Sequence, residues 1–143
     1  GEAGAGQGGG AAGAGGEAAT CLPGTVCVLA LPFHADGDTT GSESLLYDAY
    51  ACAPSVDESG PEILYDVLVP AAGTLSATVT DGPTVDVDPH ILASLKDGLC
   101  LARDDVTASA AVEPGHVYVV VDTYVTSGVA QVGPYTLDLT LAP

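Results

Sequence analysis

Basic residues are almost missing from this sequence. Lys96 and Arg103 stand alone against 19 Asp and Glu, for a formal charge of -17. Nucleic acid is excluded as a partner, because phosphate contacts need a basic footprint. An anionic membrane surface is disfavoured for the same reason. Aromatics are scarce as well: one Phe, six Tyr and no Trp. The core therefore has to come from Val, Leu, Ile and Ala, and the Val–Thr bias favours strands. No apolar run reaches eighteen residues, so no transmembrane helix is predicted. Asn is absent, which excludes N-linked glycosylation. Met is absent too, the chain begins with Gly, and no signal-like stretch occurs, which predicts a processed, exported form.

Four cysteines are present, Cys21, Cys27, Cys52 and Cys100. No CxxC or Cys/His finger spacing occurs, so zinc is rejected. An even count in an acidic, exported chain predicts two disulfides, with three pairings open. Residues 1–20 are nearly all Gly and Ala, a tail that buries no core. The domain is expected over residues 21–143.

From Cys21 onward the chain reads as short strands between turns. The predicted strands include Thr25–Leu31, Leu46–Cys52, Glu62–Val69, Thr74–Thr80, Leu99–Ala102, Val106–Val112, His116–Tyr124 and Tyr135–Leu141. His34–Ser42 reads as a polar loop or irregular strand, and Ala53–Gly60 as a loop. About eight or nine short antiparallel strands with no helical period predict an all-β sandwich.

The acids are the chemistry-bearing residues. In Pro83–Asp105 the alternation puts Val85 and Val87 on one face, Asp86 and Asp88 on the other. If the strand of Leu99–Ala102 is a neighbour, Asp86, Asp88, Asp104 and Asp105 converge at one sheet rim. Such acids repel unless a cation joins them, and calcium takes six to eight oxygens in loose geometry. A second candidate set is Asp57, Glu58 and Glu62 around a Ser59-Gly60-Pro61 turn. Asp38 belongs to Asp36–Gly41, which mimics the first half of an EF-hand loop but has Tyr47 where Glu is needed. His34, His90 and His116 lie in separate segments, no GxSxG nucleophile occurs, and an enzyme is not expected.

The runs LPFHADGDTTGSES (Leu31–Ser44), SGPEILYDVLVPAAGTLSATVT (Ser59–Thr80), VDVDPHIL (Val85–Leu92) and CLARDD (Cys100–Asp105) resemble the bacterial pre-peptidase C-terminal (PPC) domain. EPGHVYVVVDTY (Glu113–Tyr124) and GPYTLDLTL (Gly133–Leu141) continue the resemblance, over about residues 21–142. It implies a secreted, jelly-roll-like β-sandwich, of a kind often appended to peptidases. Some relatives, such as the collagen-binding modules of clostridial collagenases, carry calcium and bind protein fibres. It also implies the pairing Cys21–Cys52, leaving Cys27–Cys100. Two functions are expected from this reading. One is a calcium-binding structural subunit of an extracellular homopolymer, its tail docked on a neighbour. The other is a binding module, tethered at the surface or accessory to a peptidase, for extracellular protein or polysaccharide.

Overall fold

The structure, a computed structural model, describes residues 20–96 and 98–143. Among the described residues eleven strands follow one another, with no helix between them. β1 is Val26–Val28, β2 Phe33–Asp38, β3 Glu62–Val69, β4 Gly73–Asp81, β5 Val87–Ser94 and β6 Leu99–Arg103. β7 is Thr107–Val112, β8 Gly115–Thr123, β9 Val125–Thr126, β10 Val129–Ala130 and β11 Pro134–Ala142. They form a five-stranded sheet, β1-β3-β8-β5-β6, and a four-stranded sheet, β2-β11-β4-β7, with β9-β10 as a small hairpin.

Pairing explains the topology. β2, β3, β4 and β5 pair in turn with β11, β8, β7 and β6, all antiparallel. This is one long ribbon doubled back on itself, and wrapping it adds the β11–β4 and β5–β8 contacts. The result is the jelly-roll order, which buries the ribbon's apolar face between two sheets. Alternation does the rest. Tyr65, Val67 and Val69 of β3, Val117, Val119 and Val121 of β8, and Leu137 and Leu139 of β11 all point into that core. The Tyr65 and Tyr135 hydroxyls meet there at 2.6 Å, so neither polar tip is stranded.

The sequence reading is corrected at four places. Where His34–Ser42 read as a polar loop or irregular strand, Phe33–Asp38 is a regular edge strand, with alternating half-buried and exposed residues. Leu46–Cys52 is no strand: the segment turns across the outer face of the five-stranded sheet, with a single bridge between Tyr50 and Ala53. β1 runs parallel to β3, so the fold is not wholly antiparallel. The disulfides are Cys21–Cys27 and Cys52–Cys100, not Cys21–Cys52 and Cys27–Cys100. Cys21 precedes β1 and Cys27 lies within it, their Cα atoms 5.7 Å apart. The 39–61 segment carries Cys52 to β6, within 5.8 Å of Cys100. The expected Gly/Ala tail is residues 1–20, of which 1–19 lie outside the described residues.

The two bridges close loops of very different length, with sequence separations of 6 and 48. Loop entropy predicts that replacing Cys52 and Cys100 by Ala costs about 4 kcal/mol, against about 2 kcal/mol for Cys21 and Cys27. Urea unfolding of the two double variants checks this. Equal losses would show that chain entropy does not set the difference.

Candidate functional site

Strand register places three acids side by side on the outer face of the five-stranded sheet. Glu62 of β3 faces Asp122 of β8, and Asp122 faces Asp88 of β5. The next row is Leu64, Val120, His90 and Arg103. Such a face would ordinarily lie in water. Here residues 39–61 fold over it, and Glu62, Asp88, His90 and Asp122 are each at most 2 % exposed.

The cover is seated by the acids themselves. Glu62 accepts hydrogen bonds from the Ser44 hydroxyl and from the backbone N–H groups of Leu46 (2.7 Å) and Tyr47 (3.3 Å). The Tyr50 hydroxyl meets Asp122 Oδ2 at 2.5 Å, and its ring stacks on His90 with centroids 3.7 Å apart. Gly60 lets the loop end pass tightly over β8, since a Cβ there would lie 2.8 Å from Thr123 Cβ. That passage swings Glu58 beneath the cover, where it is 1 % exposed.

One cation serves this buried group. Arg103 Nη2 donates to Asp88 Oδ2 at 2.7 Å and to Glu58 Oε2 at 3.2 Å, while Nη1 lies 3.3 Å from Asp105 Oδ1. Burial pushes both Glu58 and Asp88 above the usual carboxylate range, and the neighbouring Glu58 carboxyl pushes Asp88 further. Asp122 is raised to about 9, first by burial and then by the charges of Glu62 and Glu58. His90 is lowered to about 4 by burial, so it is neutral at pH 7, and its Nδ1 donates to the Val120 carbonyl at 3.2 Å. Its 3.4 Å approach to Glu58 is therefore no ion pair. Four buried side-chain polar atoms have no hydrogen-bond partner among the described residues: Glu58 Oε1, Asp88 Oδ1, His90 Nε2 and Arg103 Nε.

Beside this group opens a cleft of about 600 Å³. Its acids are Asp81, Asp86, Asp88 and Asp105, its one basic residue is Arg103, and Val85, Val106 and Tyr124 supply apolar wall. Asp86 is exposed, and its pKa is nevertheless raised, by partial burial and by the nearby charges of Asp81 and Asp105.

The expected convergence of β5 and β6 is thus present, but Arg103 stands among the acids. Asp86, Asp88 and Asp105 come together. Asp104 turns away, its Oδ1 accepting from the Asp105 N–H. The second candidate set separates: Asp57 caps the turn at Ser59, Glu58 joins Arg103, and Glu62 holds the cover. Asp38 accepts from the Thr40 N–H on another sheet. Among the described residues, no three His, Cys, Asp or Glu side chains gather in a group ready to hold a metal ion. Sequence reasoning missed Arg103, His90 and Tyr50 as parts of the site. Scarcity of basic residues was the available signal for Arg103.

Fold and site define a β-sandwich with a loop-sealed acidic face. The sequence matches no protein-family model and no curated protein. Solved structures match at the level of fold. The pre-peptidase C-terminal domain of a Bacillus anthracis collagenase is similar over 85 % of this chain and all of its own, with TM-score 0.53 and 14 % identity. PliG of Aeromonas hydrophila, a periplasmic inhibitor of g-type lysozyme, is similar over 82 % of this chain and 96 % of its own, with TM-score 0.50 and 13 % identity. The chain therefore has a PPC-like fold, as the sequence motifs suggested. Its two disulfides are the pattern of a chain that folds outside the cytosol.

The buried groups set a pH dependence. The folded pKa of Asp122 lies above its unfolded value near 3.8. Its contribution is complete below that value and is lost as pH rises toward about 9. Glu58 and Asp88 act in the same direction. His90 acts oppositely, its contribution present above about 6.5 and lost as pH falls through about 4. Between pH 7 and 9 His90 is silent, so thermal stability should fall as pH rises. Asp122→Asn should flatten that fall. Parallel declines in variant and wild type would remove Asp122 from the account.

Proposed function

We propose that this chain is an exported, non-catalytic binding module whose acidic cleft receives a cationic partner in the extracellular or periplasmic space. The carrying observation is the cleft itself, with four aspartates against one arginine whose charge is already engaged by Glu58, Asp88 and Asp105. Asp86 makes no ion pair among the described residues, and its pKa is raised by partial burial and then by the nearby charges of Asp81 and Asp105. A cation entering there relieves that repulsion. The non-catalytic part of the reading draws on His90, the histidine nearest the acids, which is sealed beneath Tyr50.

Two cations serve these carboxylates. Calcium suits a loosely spaced, all-oxygen set, and the side chain of a basic protein suits an acidic cleft with apolar walls. PliG, similar in fold, is an inhibitor of a protein, which accords with a protein partner here. The homopolymer reading draws on the open edges of the sheets, β1 and β6 in one and β2 and β7 in the other. Its docking tail, residues 1–20, lies almost wholly outside the described residues.

Thermal melts of the full-length protein test the cation reading, with calcium chloride and with poly-L-lysine. Either addition should raise Tm at low salt, and Asp86→Asn combined with Asp105→Asn should abolish most of the rise. An unchanged Tm with both, or equal rises in wild type and variant, would sink the reading.

A further inference from the structure

We propose that the cleft is a pocket for one basic side chain, arginine or lysine, presented by an extended segment of a partner protein. The inference rests on the cation reading above and names the cation. Volume comes first: about 600 Å³ lies within the usual range for a ligand pocket and far exceeds the need of a bare ion. The lining divides by chemistry as a long basic side chain does. Val85, Val106 and Tyr124 offer apolar surface to an aliphatic stem, while Asp86 and Asp105 offer carboxylates to its charged end.

A second observation points to a donor-bearing ligand. Asp88 lines the cleft at 2 % exposure; its Oδ2 accepts from Arg103, while its Oδ1 has no hydrogen-bond partner among the described residues. Buried acceptors left without donors are costly, and an ammonium or guanidinium supplies several donors at once. Metal fits less well, since no three ligating side chains close on one point among the described residues. Arg103 does not close the pocket to a cation. Its Nη2 is held by Asp88 and Glu58 and its Nη1 by Asp105, so the acids still outnumber the guanidinium.

A protein rather than a free amine follows from the breadth of the field. A charge of -17 on 143 residues extends the potential well beyond the cleft. Fields of that extent steer large basic bodies and speed their association.

NMR titration of the isotope-labelled full-length protein tests this at low salt. The probe is the capped peptide acetyl-Gly-Arg-Gly-Arg-Gly-amide, with its citrulline counterpart as the uncharged control. The expected result is a saturable shift of the Asp86, Asp105, Tyr124 and Gln131 amides with the arginine peptide and none with citrulline. Asp86→Asn with Asp105→Asn alters two exposed side chains and should weaken binding by about tenfold or more, while the rest of the spectrum stays in place. Shifts scattered over the whole acidic surface, or equal affinity in the variant, would overturn the proposal. Calcium chloride in a separate titration distinguishes the two levels. Calcium shifts at the same amides with no peptide response would keep the cation site and reject the side-chain pocket. No response to either would reject both.

Discussion

The guanidinium of Arg103 is the interaction on which the rest of this site depends. It is one of two basic side chains in the sequence, and the fold uses it among acids that burial has stripped of water. Taking a carboxylate out of water costs several kcal/mol unless a counter-charge or a proton meets it. Arg103 meets two of them through one nitrogen, and it also reaches Asp105 at the mouth of the cleft. The remaining charge is reduced by protonation, which the low-dielectric surroundings favour at Asp122. Removing the guanidinium leaves Glu58 and Asp88 facing each other without a cation.

The sandwich has two interiors with opposite logic. Between the sheets, Val and Leu side chains pack without polar demands apart from the paired tyrosines. Outside the five-stranded sheet, residues 39–61 seal a polar row, and a small apolar cluster of Tyr50, Leu64, Leu92 and Val120 lies alongside it. The Cys52–Cys100 bridge fixes that cover to β6, the strand that also delivers Arg103. Cover, disulfide and cation thus meet on one edge strand. The cleft opens where this sealed region reaches solvent, so rigid buried acids stand behind exposed ones. That arrangement is a preorganised acidic cleft, and the cation proposed for it would meet acids that need less reordering than flexible surface acids require.

Much of the fold was legible because alternation survives in β3, β4, β8 and β11, where Val and Leu face one way. The pairing of β5 with β6 entered the sequence reading only as a condition for the acids to converge, and the structure supplies that pairing. β2 was not, because Gly37 and three polar residues mask an edge strand whose inner face is only half buried. The 39–61 cover was also hidden. Leu46–Cys52 alternates weakly and reads as a strand, yet Tyr50 is committed to stacking on His90, a contact forty residues away. Disulfide pairing failed for the same reason: the family resemblance supplied a rule, while the path of the cover decided the partner of Cys52. Glu62 read as a metal ligand because sequence shows a carboxylate beside a turn. The fold makes it the first residue of β3 and gives it three donors.

The most direct measurement is a crystal structure of the full-length protein grown with the capped arginine peptide. The account predicts a second guanidinium in the cleft against Asp86 and Asp105, with Arg103 still bridging Glu58 and Asp88 beneath the cover. A peptide bound elsewhere on the acidic surface, or an Arg103 swung out to solvent with its acids unpaired, would contradict it.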